Sequence, residues 1–587
     1  MLFKYCIIGL IISVAINCSP SISQAQLPYD YSDDWILEPG FSIELDSEGF
    51  DIPTSIAFVP NPGQEPTSPL YFITELGGVV KVVTNDRSVH VFSDDIAKAA
   101  LFASDDSKKE YSGAFGLAGI CLDSESGFIF VTFAYDDPDG ILRNGLIRYE
   151  SEPETFSTTP SGTISFSEMF VHENTNPHQI GPCQTHGTTL FVAIGDGGNP
   201  SVSQDNESFL GKIVRMNFDG SPVTDNPFYV SSQSNATANY IWAKGFRNPF
   251  GMKVVDGRVF VADNGIDIDR FMEVRAGSNF LWDATDLSIA TNSDFTIMPG
   301  NGVVQLDKYP ANSPLFPEEY RNKLFLGVSG DPYRDKEPRV LMIEYDLDVS
   351  AITSTPDTFL QHRGSTDQII GGTAFGVDGL YVVPLLPNRQ GVSGVYRILY
   401  TPEQSSAYVF DDSPEELINK YGCRSCHLFN PGSSYKAPSL DQPDLSERIL
   451  NRLSTPEYLR QVTALNDLNE EPFSSYASAR DAILAADEET KVRLWIKNRL
   501  LEPKFDNPNA LMPKLNIDEN EADILAEYLV SMDTPQRFEG LMLLFPEPRV
   551  RNLLYFFVAG AIMSGLFFFT VGVLTHKIYS SRRRNKE

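Results

Sequence analysis

Two cysteines and a histidine stand together as Cys423-Arg424-Ser425-Cys426-His427. Two thiols one helical turn apart, followed at once by an imidazole, form the C-x-x-C-H spacing of covalent c-type haem attachment. The thiols add to the vinyl groups of the porphyrin, and the adjacent imidazole gives the iron an axial nitrogen. A zinc site would need a further Cys or His pair, and no cysteine follows Cys426. A dithiol redox motif would leave His427 unused. Cys423 and Cys426 are therefore expected to hold haem c, with His427 on the iron. The opposite axial ligand is expected to be a thioether, because no histidine lies between His427 and His576. Met512 sits in the helix-breaking run Pro508-Asn509-Ala510-Leu511-Met512-Pro513, which suits a projecting sulfur; Met532 ends an apolar helical stretch and is expected to pack.

A second set of chemistry-bearing residues lies far upstream, in polar punctuation between apolar runs. These are Pro177-His178-Gln179, Gly195-Asp196-Gly197-Gly198, Arg247-Asn248-Pro249 and Asp263-Asn264-Gly265. A histidine can move a proton near neutrality, but each phrase alone is first a turn signal. Their weight comes from co-occurrence in successive repeats. The runs that must position them recur as one apolar, β-branched and aromatic phrase, at 70–73, 128–131, 190–193, 259–262, 324–327 and 380–383. Each is followed, after a polar loop, by a second strand, at 79–82, 145–148, 212–215, 271–274, 339–342 and 394–397. Six copies of one phrase predict an all-β six-bladed β-propeller over residues 33–402, with four strands per blade. A β-sandwich, the rival, has no reason to repeat a phrase in this way.

Residues 403–412 read as a linker. Beyond it, residues 413–532 change character to helix. Ser413, Pro414 and Glu416 form a helix start, and Asp518 with Glu521 forms a second capping box before an apolar stripe at Ile524, Leu525, Tyr528 and Leu529. With Pro438 and Leu440 following the C-x-x-C-H motif, this small all-α segment resembles class I cytochromes c. The resemblance implies that a backbone carbonyl near Pro438 accepts from the second nitrogen of His427 and fixes its tautomer. The stripe is expected to pack on the first helix.

The repeat region resembles another family, the pyrroloquinoline quinone (PQQ)-dependent soluble aldose sugar dehydrogenases, or glucose/sorbosone dehydrogenases. The matching phrases are His178, Gly195 to Gly198, Leu210-Gly211-Lys212-Ile213-Val214-Arg215-Met216, Asp219-Gly220, Asp225-Asn226-Pro227-Phe228, Gly245-Phe246-Arg247-Asn248-Pro249-Phe250-Gly251, Asp263-Asn264-Gly265 and Gly277-Ser278-Asn279-Phe280-Leu281-Trp282. The resemblance implies that His178 is the general base for a sugar hydroxyl while hydride passes to PQQ. It implies that Arg247, Asn248 and Asn264 contact PQQ, and that the backbone carbonyls of Gly265 and Ile266 hold calcium. The chain departs from the family at Gly113-Ala114-Phe115-Gly116, where a substrate-contacting Gln is missing, and at Pro177, where some members carry an acid. It departs again at Gly371-Gly372-Thr373-Ala374-Phe375-Gly376, where basic residues toward the cofactor's carboxylates are missing.

The chain ends suggest where this chemistry takes place. Residues 1–25 read as a secretory signal peptide, with Lys4, an apolar run and a Ser23-Gln24-Ala25 cleavage site. Residues 553–575 are uncharged and apolar, and about 23 residues at about 1.5 Å each span a bilayer core. The basic tail 576–587 is expected in the cytoplasm, with 533–552 as a juxtamembrane linker. The formal charge of −32 argues against nucleic acid or an anionic membrane surface as a partner. Few cysteines remain after the signal, so this is no disulfide scaffold; Cys121 and Cys183 are left either bridged or as buried thiols. The expected protein is a membrane-anchored quinohaemoprotein dehydrogenase with its ectodomain in a periplasm or at the cell surface. It would oxidise an aldose-type sugar, polyol or related hydroxyl compound with PQQ and pass electrons to its own haem, then to a downstream respiratory acceptor. The alternative is a non-catalytic propeller binding module joined to an electron-transfer cytochrome c.

Overall fold

The computed structural model describes residues 34–98, 116–136, 141–170, 177–234, 236–298, 300–310, 313–330, 337–354, 356–363, 368–403, 413–421, 423, 427, 437–440, 445–515 and 517–531. The expected signal peptide, membrane span and basic tail lie outside these residues. Among the described residues no helix is long and apolar enough to cross a membrane. The chain parts into two compact units at Asp411/Asp412.

The first unit is a six-bladed β-propeller, with every blade an antiparallel sheet. Blade 1 comprises Pro53–Phe58, Pro69–Glu75, Val80–Thr84 and Val89–Ser93. Blade 2 comprises Gly116–Asp123, Phe128–Asp136, Leu142–Glu150 and Gly162–Ser165. Blade 3 comprises Ile180–His186, Thr189–Ile194, Lys212–Asn217 and Ile241–Lys244, and blade 4 Pro249–Val255, Arg258–Asp263, Asp269–Val274 and Phe295–Ile297. Blade 5 is built from Val303–Lys308, Lys323–Val328, Arg339–Asp346 and Asp357–His362, and blade 6 from Ile370–Phe375, Leu380–Pro384 and Gly394–Tyr400. The twelve phrases read from the sequence are the second and third strands of the blades. Those strands are buried on both faces, so their hydrophobic runs are almost unbroken.

The N-terminal segment closes the ring over two blades. Phe41–Glu48 becomes the outer strand of blade 6, and Trp35–Leu37 adds to blade 5, which therefore has six strands rather than four once Ala351–Ile352 is included. Trp35 stands opposite His362, and Phe41 opposite Tyr400.

The first strands of the blades pack side by side around the centre, from 53–58 through 116–123, 180–186, 249–255 and 303–308 to 370–375, which returns to the start. Each carries a register shift near its beginning, at Pro53/Ser55, Leu117/Gly119, Ile180/Cys183, Pro249/Gly251, Val303/Leu306 and Ile370/Gly372. A bulge bends the strand and re-aims its side chains, so the same mouth of every blade is turned toward the axis. The crowding is severe: a Cβ on Gly251 would lie 2.4 Å from the carbonyl oxygen of Val304 in the next blade. Hydrophobic clusters fill the spaces between neighbouring blades; one joins Phe260, Phe271 and Ile297 of blade 4 to Leu324, Leu341 and Ile343 of blade 5. Cys121 and Cys183 form a disulfide between the first strands of blades 2 and 3, Cα to Cα 5.7 Å.

The second unit is helical: α1 Pro414–Lys420, α2 Leu445–Leu453, α3 Pro456–Asn466, α4 Ala477–Ala485, α5 Glu488–Leu501 and α6 Glu519–Ser531. The Asp518/Glu521 capping box forms, with the Glu521 amide donating to Asp518 Oδ1 at 2.9 Å and the Asp518 amide to Glu521 Oε2 at 3.3 Å. Helix α6 packs on α1, as expected, and on α5. Its buried stripe is Ala522, Leu525, Ala526 and Leu529, whereas Ile524 and Tyr528 are only half-buried. Tyr528 instead reaches Glu415 of α1 with its hydroxyl, 2.7 Å.

Candidate functional site

His178 lies two residues before the first strand of blade 3, in the left-handed backbone region at φ 67°. That strained conformation is held from outside: the amide of Gly197 donates to the His178 carbonyl at 3.0 Å, and a Cβ at Gly195 would lie 2.5 Å from the same oxygen. Strain of this kind persists only when neighbours over-determine it. The turn 195–198 is thus more than punctuation.

Asp196, in the centre of that turn, is the functional residue the sequence reading left unassigned. Its Oδ1 lies 2.7 Å from His178 Nδ1 and accepts the Gly198 amide at 2.8 Å, while Oδ2 accepts Trp282 Nε1 at 2.8 Å. A carboxylate has no proton to give, so Nδ1 is the donor and the lone pair of His178 stands on Nε2. The Asp196 amide is tied in turn to the Arg247 carbonyl, 2.7 Å. The signal for Asp196 was its place among three glycines, which read only as a turn.

Arg247 and Asn248 enter from the loop before blade 4. Both backbone amides donate to Asp263, at 3.3 and 2.7 Å. Asp263 is clamped from below by the fully buried Arg270, whose Nε and terminal nitrogen reach Oδ2 at 3.0 and 2.8 Å. The Arg247 guanidinium donates to the Asn264 carbonyl at 2.9 Å and lies 5.9 Å from the Trp282 ring centre. Trp282 therefore touches both the aspartate behind His178 and the arginine. Three of the predicted residues, His178, Arg247 and Asn264, are brought together through it.

Asn264 anchors its amide nitrogen on the carbonyls of Asn248 and Val303, at 3.1 and 2.9 Å, which leaves Oδ1 buried without a donor. The next residue must be glycine, since a Cβ on Gly265 would collide with the Ile268 carbonyl at 1.7 Å. The Gly265 amide donates to Asp269 Oδ1 at 2.9 Å. Among the described residues the carbonyls of Gly265 and Ile266 accept no hydrogen bond, and Ile266 is exposed. Unsatisfied carbonyl oxygens suit a hard cation. No cluster of three acidic, histidine or cysteine side chains exists among the described residues, so any cation here would rest on backbone oxygen. An orphaned amide oxygen, a planar guanidinium and bare carbonyls on one turn fit a polar, anionic heterocycle with a bound calcium.

In the helical unit, the His427 amide donates to the Cys423 carbonyl at 2.9 Å. Cys426 lies outside the described residues. His427 Nδ1 lies 2.7 Å from the Pro438 carbonyl, the contact implied by the cytochrome resemblance. Nδ1 must donate, so Nε2 presents a lone pair; burial holds this imidazole below its usual pKa, with the Pro438 bond opposing. That geometry fits a haem iron. Met512 is half-buried on the non-helical segment between α5 and α6, next to the exposed Leu511.

Residues 50–303 match the family described as Glucose / Sorbosone dehydrogenase. Aldose sugar dehydrogenase YliI of Escherichia coli is 28% identical over 176 residues, 27% of this chain and 45% of that protein. Quinoprotein glucose dehydrogenase B of Acinetobacter calcoaceticus is 25% identical over 269 residues, 39% of this chain and 51% of that protein. The chain thus spans about half the length of these curated relatives. Among solved structures, the soluble aldose sugar dehydrogenase of Escherichia coli overlaps 61% of this chain and 99% of its own, with TM-score 0.47 and 19% identity.

Proposed function

We propose that the propeller is a PQQ-dependent dehydrogenase of aldose-type sugars or related hydroxyl compounds, and that it delivers its electrons to a c-type haem on the same chain. The single observation that carries this reading is the His178–Asp196–Trp282–Arg247 chain of contacts at one mouth of the propeller. It lies wholly within the residues that match the glucose/sorbosone dehydrogenase family.

Bound PQQ supplies the two-electron acceptor that a C–H oxidation requires. The rest is the work of this chain's residues. His178 presents Nε2 to the substrate hydroxyl and takes its proton as the carbinol C–H bond is broken. Asp196 holds the ring in the required tautomer and steadies the imidazolium that results. Arg247, Asn248 and Asn264 orient the cofactor, the guanidinium facing developing negative charge. Gly265 and Ile266 would hold calcium through their carbonyls.

Cys423 and Cys426 would hold a haem and His427 and Met512 would bind its iron, and the group would supply a one-electron acceptor of raised potential. Covalent fusion keeps donor and acceptor at a high effective concentration. The Cys121–Cys183 disulfide supports an oxidising compartment, in line with export, a C-terminal membrane anchor and a respiratory carrier as the next acceptor. Purified full-length chain, given PQQ, calcium and a panel of aldoses and polyols, should show the reduced haem α-band. Reduction that does not require PQQ, or its absence with every hydroxyl compound, would rule the dehydrogenase out.

A further inference from the structure

Arg270 is among the largest fully buried side chains of the protein, and the proton transfer proposed for His178 makes no use of it. It stands directly opposite Asp263 across a hairpin, so the two close the base of the loop that carries Asn264, Gly265 and Ile266. Neither side chain of this ion pair has any exposed surface. Burying such a pair is costly, and exchanging one for well-packed apolar side chains commonly leaves stability level or higher. Stability alone is therefore a poor reason for its presence.

The reach of the guanidinium supplies a better one. Nε and one terminal nitrogen donate to Asp263 Oδ2, and that terminal nitrogen also reaches the Gly245 carbonyl at 3.0 Å. The other terminal nitrogen donates to the Phe280 carbonyl at 2.9 Å and, at 3.4 Å, to the carbonyls of Ser288 and Asn292. Ser288 and Asn292 belong to the last turn and the C-cap of the short helix Asp286–Thr291, an end that a cation complements.

Each of these segments holds a part of the site. Gly245 begins the loop of Arg247 and Asn248, whose amides rest on Asp263, and its carbonyl also accepts the Trp282 amide at 3.2 Å. Phe280 lies two residues before Trp282, which donates to the Asp196 carboxylate behind His178. The short helix backs the turn of Gly265 and Ile266. Asp286 Oδ1 accepts the Asp267 amide at 3.1 Å, and Ile289 Cγ1 lies 3.4 Å from where a Cβ on Gly265 would be. The loop that would face the cofactor and the residues that orient the base thus meet at one guanidinium. A lysine would balance Asp263 as a point charge but lacks the rigid fork that reaches these carbonyls together.

We propose that Arg270 is a positioning residue: paired with Asp263, it holds the loop of Arg247 and Asn248 in register with the His178–Asp196 pair. This rests on the dehydrogenase reading and goes beyond it, because it places control of the site's geometry in a side chain buried behind the reacting groups. A displacement of about 1 Å caused by a change remote from the chemistry can cost about a hundredfold in rate.

The test uses the full-length chain as wild type, Arg270→Lys, the double variant Asp263→Asn/Arg270→Gln, and Arg397→Gln. The double variant removes both charges and keeps an acceptor for the amides of Arg247 and Asn248. Arg397→Gln controls for lost stability alone: it breaks an ion pair with Asp378 at the end of blade 6 away from its bulge. Tm is measured without PQQ. Well below every Tm, PQQ affinity is read from quenching of tryptophan fluorescence, and kcat and sugar KM from haem reduction at saturating PQQ. Both Arg270 variants should bind PQQ about tenfold more weakly and lose about tenfold to a hundredfold in kcat, with KM unchanged. Arg397→Gln, though its Tm falls, should keep wild-type affinity and kcat. Wild-type affinity and kcat in a folded Arg270 variant, equal losses in Arg397→Gln, or failure of both Arg270 variants to fold would make Arg270 a structural residue and leave the dehydrogenase reading standing. A wild type that binds no PQQ would overturn both.

Discussion

His427 finds the carbonyl that orients it 11 residues along the chain, at Pro438, whereas His178 finds its carboxylate 18 residues away and the tryptophan steadying that carboxylate a further 86 residues on, in the next blade. The candidate haem motif is a local construction: two backbone carbonyls, of Cys423 and Pro438, both within 11 residues of His427, fix the ring that presents Nε2. The propeller mouth is assembled from three loops that have no contact until the blades have packed. The difference decides what damage each can absorb. A local site tolerates insertion and drift elsewhere in its unit, whereas a site built across blades depends on the ring being closed.

The largest effect should come from removing the proton acceptor in the non-local site. His178→Ala is expected to lower sugar-dependent haem reduction by about a hundredfold to ten-thousandfold, the usual contribution of general base catalysis. The haem absorption spectrum should not change, because the hydrogen bonds of His178 among the described residues run to the turn 195–198 of the propeller. A variant that reduces haem at the wild-type rate would remove His178 from the chemistry.

Ring closure itself is the next place to press. His362 is 4% exposed, stands edge-on to Trp35 of the closing strand at 4.8 Å, and is depressed to about 4, mainly by burial and then by Arg389. A histidine whose folded pKa lies below its unfolded value contributes its full stability above the unfolded pKa. That contribution is lost as pH falls from about 6.5 toward 4. The shift corresponds to about 3 kcal/mol. Asp34 beside it is pushed up by burial and titrates in the opposite sense, so the two must be separated. Melting curves from pH 7 to pH 4 should show the wild-type propeller losing stability and His362→Gln losing much less; parallel curves would acquit His362.

Asp196→Asn should be milder than loss of the base, because Nε2 remains in place. An amide can still accept from His178 Nδ1 but carries no charge to steady the imidazolium, and second-layer partners of this kind are commonly worth about tenfold to a hundredfold. The fall should appear in kcat rather than KM. A change confined to KM would recast Asp196 as a loop anchor through Gly198 and Trp282.

Legibility in the sequence followed the same divide. The second and third strands of every blade were plain because they are continuous apolar runs. The first strands were not, since each is broken near its start by a bulge with proline or glycine, as in Pro53, Gly181-Pro182 and Pro249-Phe250-Gly251, and such breaks read as loops. The closing strands at Trp35 and Phe41 pair with residues more than 300 positions away, which no local pattern announces. His178, Arg247 and Asn264 were found through their phrases. Asp196 and Arg270 were missed because a turn aspartate acquires meaning only from Trp282 in the next blade, and a strand arginine only from Asp263 on the neighbouring strand. In the helical unit the capping box and the Pro438 contact were both visible in advance, because their partners lie within a few turns.

The smallest effect, and the sharpest probe of that divide, belongs to Glu521, which serves both scales at once. Locally it closes the capping box with Asp518; over 100 residues it accepts the hydroxyl of Tyr421, and Lys420 reaches its other oxygen at 2.8 Å. It is 5% exposed, so these bonds are sheltered from solvent. Glu521→Gln keeps an acceptor for the Asp518 amide and for Tyr421 but removes the charge facing Lys420. Glu521→Ala removes both scales together. If the helical unit is held mainly by local signals, the glutamine variant should cost well under 1 kcal/mol and alanine about 1 kcal/mol, the usual loss of a cap, in urea denaturation followed by the haem Soret band. If instead the α1–α6 tie dominates, glutamine should cost nearly as much as alanine. The buried bond from Tyr421 would then belong with the non-local contacts of the propeller, and the helical unit would be less local than its haem motif suggests.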